Sequence, residues 1–299
     1  MIPPIIHEIE VRSALNPVKG MPFKWSLNPY KGCAHGCTYC YARAYHTYLD
    51  LPPSSFESQL FVKLNLADVL RAELRRGSWK GEPVVVGTAT DPYQRLEGQY
   101  RITRRCLEVM ADADNPGSVT TKGTLVTRDV DVLSQLARQN GFGVNVSLIS
   151  LDRDLLRKLE PGAPAPAGRL RAMERLSAAG IPVSVFLSPV LPGITDDPER
   201  LEEVVRAAVE HGACDVWGGA LRLAPGVKEH FLETVDHDFP RLSTGYRRMY
   251  GLGAYAPTGY QLRVEGQVSA LRRAEGIDHQ PAEVSSPVCS RRGQLALPI

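Results

Sequence analysis

No apolar run in this 299-residue chain approaches the length of a bilayer crossing. The opening stretch, "MIPPIIHEIEVRS", lacks the positive region and long apolar core of a secretion leader. A cytoplasmic protein with no membrane partner is therefore expected. Charge of one sign is also lacking: Lys and Arg total 35 against 33 Asp and Glu, for a net charge of +2. The strongly basic balance of a dedicated duplex-binding domain is absent, and the local groups Arg101, Arg104 and Arg105, or Arg169, Arg171 and Arg175, read as solvated helix faces. Low-complexity linkers are missing too. Cysteine is scarce, with six in the chain, too few for a disulfide scaffold of this size in a reducing compartment.

What the chain does have is apolar material for a core, at 43% hydrophobic, arranged in a regular alternation. Strands are expected in "KWSLNPYKG", "PVVVGTATD", "SVTTKG", "FGVNVSLIS", "IPVSVFLSPV" and "CDVWGGALRL". Between them, "NLADVLRAELRRG", "RITRRCLEVMADA", "DVDVLSQLARQNG", "GRLRAMERLSAAG" and "DPERLEEVVRAAVEHG" carry apolar residues at helical spacing. Strands alternating with helices of this length imply right-handed crossovers and a parallel sheet. Six such units fall short of the eight that close a full barrel, so an open, partial (β/α)6 barrel is expected over residues 25–228. Residues 1–24 read as an N-terminal segment, and 229–299 as a helical C-terminal extension with a polar tail. The polar residues Thr88, Thr90, Asp91, Lys122, Ser147, Ser150 and Ser188 fall at strand ends, on the rim where α/β folds bind ligands.

Three of the six cysteines crowd into "GCAHGCTYCYAR", spaced C-x3-C-x2-C as Cys33, Cys37 and Cys40, with Gly32 and Gly36 relieving the backbone. Such a group holds metal or does redox chemistry. Structural zinc needs a fourth ligand, from His35 or His46. A [4Fe-4S] cluster normally takes four cysteines, and three would leave one iron open.

Cys33, Cys37 and Cys40, with the aromatic Tyr39 before the last, resemble the signature of radical S-adenosylmethionine (SAM) enzymes, whose fold is a partial (β/α)6 barrel. The resemblance implies a [4Fe-4S] cluster on the three cysteines and SAM as second cofactor. It further implies an electron donor of flavodoxin or ferredoxin type, and SAM cleavage to a 5'-deoxyadenosyl radical that abstracts hydrogen from a substrate. "GTATD", "TTKG" and "VNVSLIS" are similar to the segments with which spore photoproduct lyase and its relatives, often labelled DNA-repair photolyases, hold SAM. Tyr39, Thr90, Lys122 and Ser147 are thus the expected cofactor contacts.

The same resemblance places Asn28, Tyr30, His35, Tyr41, Arg43 and His46 around the cluster. It turns Asp91, Tyr93, Gln94 and Glu97 toward the substrate. Tyr41, Arg43, Asp91, Gln94 and Arg222 are the expected substrate contacts, and DNA or a nucleotide is the first expected substrate. One departure stands out. The lyase has a cysteine as hydrogen donor where this chain has Thr88, and a hydroxyl O–H is too strong to replace it. Cys289 and Tyr93 are the expected catalytic substitutes, with Cys106 and Cys214 as further thiols. The alternatives are radical modification of a peptide, RNA or small metabolite, and a zinc-stabilised binding module without catalysis.

Overall fold

Residues 3–251 and 253–277 are described by a computed structural model. Ten strands form: β1 (Ile5–Ile9), β2 (Leu15–Pro17), β3 (Trp25–Leu27), β4 (Tyr30–Lys31), β5 (Gln59–Lys63), β6 (Val84–Val86), β7 (Gly117–Thr121), β8 (Gly143–Ser147), β9 (Val183–Val190) and β10 (Asp215–Ala220). The main sheet runs β10-β9-β8-β7-β6-β3-β2. Its first six members pair in parallel and in sequential order, and β2 closes the row antiparallel to β3. The six expected strands are therefore the six parallel ones. Among the described residues the sheet ends at β10 and β2 without closing on itself, as expected of a partial barrel.

The strands form where they do because both faces are covered. Val84 and Val86 of β6, Val144 and Val146 of β8, and Val183, Val185 and Leu187 of β9 are all buried, and β-branched residues suit a pleated surface packed on both sides. The helices lie between strands: α1 (Leu66–Leu74), α2 (Glu97–Tyr100), α3 (Ile102–Asp112), α4 (Val130–Asn140), α5 (Arg153–Leu159), α6 (Pro166–Ala178) and α7 (Pro198–Glu210). Asp152 and Asp197 cap α5 and α7 by accepting backbone N–H bonds at about 3 Å. Then come α8 (Val227–Asp238), α9 (Ser243–Tyr250) and α10 (Thr258–Ala274), with α10 packed on β10 and α7.

A second sheet, β1-β5-β4, departs from the sequence reading: the expected strand "KWSLNPYKG" splits, β3 staying in the main sheet and β4 pairing with β5. Its central strand "QLFVK" lies between the cysteine loop and α1, and the N-terminal β1 pairs with it in parallel. The first 24 residues are thus woven into both sheets, through β1 and β2. This small sheet is the floor on which the cysteine loop rests.

Candidate active site

The cysteine loop leaves β4 at Gly32, whose φ of +76° and close approach to the Gln59 and Phe56 carbonyls leave no room for a Cβ. Two turns follow: Gly36 N donates to Cys33 O and Cys40 N to Cys37 O, each at 3.3 Å. The three thiols are close enough for their charges to oppose one another. Burial, reinforced by those charges, pushes Cys33 far above the ordinary thiol value and Cys37 up to about 12, and burial raises Cys40 as well. Thiols this dry keep their protons until a cation takes their place.

Among the described residues no three His, Cys, Asp or Glu side chains converge as ligands of a single ion. Of the two candidate fourth ligands, His35 Nδ1 lies 3.2 Å from Asp91, while His46 Nδ1 lies 3.2 Å from Ser55 Oγ with its ring packed on Phe56 and its Nε2 buried without a partner. Closed zinc coordination finds no support. Three free thiols standing near one another suit a cluster in which each sulfur takes its own iron.

The loop's backbone is clamped from several sides. Arg43, fully buried, donates from Nε to Cys37 O (2.9 Å) and from its terminal nitrogens to Gly36 O (3.0 Å) and Glu57 (2.7 Å). Gln94, also fully buried, accepts from Ala34 N (2.9 Å) and donates to Gly32 O and Thr90 Oγ1 (3.1 Å each). Thr90 donates to Gly32 O at 2.6 Å. Arg43 and Gln94, expected at the substrate, are thus structural clamps, because buried carbonyls and N–H groups of an irregular loop need partners. Thr90, expected on SAM, is committed in the same way. Asn28 ties β3 to the next strand end, accepting from Ala89 N at 2.7 Å, and buried Lys63 donates to Asn28 O at 2.7 Å.

The rim after β6 and β7 is organised by Asp91. Its carboxylate accepts from Tyr93 N (2.9 Å), Thr121 Oγ1 (2.6 Å) and Lys122 N (2.7 Å), and faces His35. Although burial opposes ionisation, these partners hold its carboxyl well below the usual range. A carboxylate so fully engaged positions Lys122 rather than reaching for substrate. Tyr93 is buried with its ring beside Asp129 and Glu97. Glu97 accepts from Tyr30 (2.5 Å), Thr103 N (2.9 Å) and Arg128 (2.7 Å). Glu97 is committed to the packed interior, since a buried acid needs this many donors, while Tyr93 also lines a cavity beside His35 and Gly123.

Glu160 was absent from the sequence reading. It follows α5 in the stretch "EPGAPAP" and is buried against the cysteine loop, where Thr38 N donates to Leu159 O and Gly162 N to His35 O, both at 2.9 Å. Glu160 accepts from the Tyr39 hydroxyl on one oxygen and from Arg169 on the other, and the Lys122 ammonium lies 3.9 Å away. Arg169 also donates to Ser147 O at 3.0 Å. Lys122 sits 5.8 Å from the Tyr39 ring centre. Tyr39, Lys122 and Ser147 are thereby brought together. Burial pulls the Lys122 ammonium down, but the Cys37 and Glu160 charges more than offset this and leave it raised. The only sequence signal for Glu160 was a lone acid in a proline-rich turn.

Above this packed base lies an exposed rim. Tyr41, Tyr45 and Tyr48 share one face of the 3-10 helix Tyr41–Leu49 and touch in series, at centroid separations of 6.2 Å. Tyr48 is 82% exposed. Tyr41 donates its hydroxyl hydrogen to the carbonyl of Thr88. Arg222 forms an isolated bridge with Tyr255 and stacks on its exposed ring at 5.2 Å. Cys106 and Cys214 are buried, and Cys289 lies outside the described residues.

Comparison with known proteins agrees with this geometry. The family model described as the radical SAM superfamily matches residues 27–208. An uncharacterized protein of Mycobacterium tuberculosis is 40% identical over 283 residues, covering 92% of this chain and 83% of that protein. An uncharacterized protein of Methanocaldococcus jannaschii is 28% identical over 191 residues, covering 64% of this chain and 70% of its own. Among solved structures, a mutant of spore photoproduct lyase with bound AdoMet and dinucleoside spore photoproduct superposes with a TM-score of 0.68 at 16% identity. It covers 90% of this chain and 79% of that one, a likeness of fold.

Proposed function

The chain belongs to the radical SAM superfamily, and from that premise we propose that it is a spore-photoproduct-lyase-like enzyme acting on a nucleic acid or nucleotide. Enzymes of this superfamily carry a [4Fe-4S] cluster and SAM and need a reductant, here of flavodoxin or ferredoxin type. When bound, the cluster supplies the electron that splits the SAM sulfonium and releases a 5'-deoxyadenosyl radical.

In this reading Cys33, Cys37 and Cys40 hold the cluster, and the single observation that carries it is that three free thiols share one short loop whose carbonyls are clamped by buried side chains. Lys122, charged and on the rim, binds the methionyl carboxylate. Tyr39 and the strand-end hydroxyl of Ser147 orient the rest of SAM, while Thr90 acts beneath them. Tyr41 takes the place of the missing thiol, since its hydroxyl is directed at Thr88, the residue that stands where the lyase has its hydrogen donor. The exposed tyrosines and the Arg222–Tyr255 stack offer flat faces for bases.

The deciding experiment is anaerobic reconstitution with iron and sulfide, followed by SAM and dithionite. A brown protein whose EPR signal shifts with SAM and which yields 5'-deoxyadenosine supports the reading; a colourless protein that leaves SAM intact overturns it. Substrate class is tested by oligonucleotide binding against salt, where phosphate contacts produce a steep slope. The near-zero net charge favours a second reading, modification of a peptide, RNA or small metabolite, and absence of DNA binding at low salt would select it.

A further inference from the structure

Four groups meet behind the cysteine loop: the phenol of Tyr39, the ammonium of Lys122, the guanidinium of Arg169 and the carboxylate of Glu160. The carboxylate is fully buried and its three partners are unequally held. One oxygen accepts from Tyr39 and the other from Arg169, both by direct hydrogen bonds. Lys122, at 3.9 Å, lies within ion-pair range but beyond hydrogen-bond length. Among the described residues no hydrogen-bond acceptor is in reach of its Nζ, and its side chain keeps 16% exposure.

This asymmetry has a chemical meaning. A buried ammonium needs a compensating charge, or burial strips its proton. It also needs acceptors for its three N–H groups. Glu160 faces the ammonium with its charge without taking its hydrogens, because its bonds to Tyr39 and Arg169 fix the carboxylate 3.9 Å away, beyond hydrogen-bond reach. Lys122 is therefore kept cationic with its donors uncommitted, in the state needed to receive a carboxylate from outside. Arg169 extends the arrangement to Ser147, whose carbonyl it holds, and to Pro164 O at 2.8 Å.

We propose that Glu160 is the positioning residue of the SAM site, fixing Tyr39 directly and, through Arg169, Ser147, and facing Lys122 at a distance that leaves its donors uncommitted. The proposal rests on the reading in which Lys122 binds the methionyl carboxylate. It adds a residue that does not itself touch the cofactor.

The test measures SAM affinity by equilibrium dialysis against reconstituted, oxidised protein, so no turnover is involved. Iron content and thermal melting are recorded alongside. Glu160→Gln keeps an acceptor for Tyr39 but removes the charge facing Lys122 and Arg169. It is expected to weaken SAM binding about tenfold or more, about 1.4 kcal/mol, with iron content unchanged. Lys122→Met is expected to weaken binding by as much, and the double variant little further, since residues acting through one contact are non-additive. Equal losses that add in the double variant, or an unchanged affinity in Glu160→Gln, would overturn the proposal.

If Lys122→Met alone binds SAM as tightly as the parent, the assignment of Lys122 fails and takes this proposal with it. If Lys122→Met weakens binding and Glu160→Gln does not, the assignment stands and Glu160 is only structural. Should Glu160→Gln lose iron or melt early, Glu160→Asp retains the charge. Recovery of affinity with the fold supports the positioning role, and a recovered fold with affinity still at the Glu160→Gln level counts against it.

Discussion

The base and the rim of the site are built on opposite plans. In the base, the carbonyls of Gly32, Gly36 and Cys37 each receive a donor from a side chain outside the loop turn, and those side chains, Arg43, Gln94 and Thr90, are buried. On the rim, Tyr45, Tyr48 and Tyr255 present their rings to solvent. The base is over-determined, which suits a cofactor of one fixed shape. A rim of exposed rings fixes a chemical character, flat and aromatic, without fixing one partner.

The sharpest way to test that contrast is to remove a thiol. Replacing Cys33, Cys37 or Cys40 by Ala should reduce bound iron to background after reconstitution and abolish SAM cleavage, as measured by iron assay and 5'-deoxyadenosine yield. Retention of a [4Fe-4S] EPR signal by all three variants would dissolve the assignment of the base.

Next in size is the clamp. Arg43→Leu leaves Glu57 and two loop carbonyls without their donor, and unfolding by denaturant should show a loss of about 1–3 kcal/mol. Gln94→Leu orphans Ala34 N, while Gly32 O keeps its bond from Thr90, and should lose about 1–3 kcal/mol. Both should also load less iron. On the rim the pattern should reverse. Tyr48→Ala should change stability by no more than about 0.5 kcal/mol, yet weaken single-strand oligonucleotide binding by about 1–3 kcal/mol if a base stacks there. Destabilisation by Tyr48→Ala would erase the distinction between the two regions.

An effect confined to alkaline pH lies beneath the loop. Burial, with nearby Lys31, lowers Lys63 to about 8. Between about pH 8 and the ordinary lysine value the unfolded chain binds more protons than the folded one, so this group makes stability rise with pH there. The parent should gain on Lys63→Met by no more than about 1.4 kcal/mol per pH unit across that window. A flat difference in denaturant midpoints would show an ordinarily titrating lysine.

The parallel strands were legible because burial on both faces writes β-branched runs such as "PVVVG" directly into the chain. The second sheet was not, since β1 and β5 are separated by some 50 residues and neither is strongly patterned. Spacing and strand-end position made legible that three thiols share one loop and that Lys122 directly follows β7. Arg43, Gln94, Asp91 and Glu97 were correctly placed near the loop in sequence but assigned the wrong direction. Proximity along the chain does not say whether a polar side chain faces solvent or the backbone it supports. Glu160 was invisible for a related reason: its partner Tyr39 lies 121 residues away, and no local pattern encodes a contact of that range.

The bond between Gly162 and His35, with a Cβ at position 162 meeting Ala34 O at 2.1 Å, also sets an order of events during synthesis. A nascent chain that has emerged as far as Ser150 carries all three thiols and four of the six parallel strands, β3, β6, β7 and β8. It still lacks Leu159, Glu160 and Gly162, which hold the loop from behind, and Arg169, which holds Glu160. The cysteine loop therefore reaches its final form only after the chain beyond α5 has been made, so metal loading is a late step and a chain released early would expose three unprotected thiols.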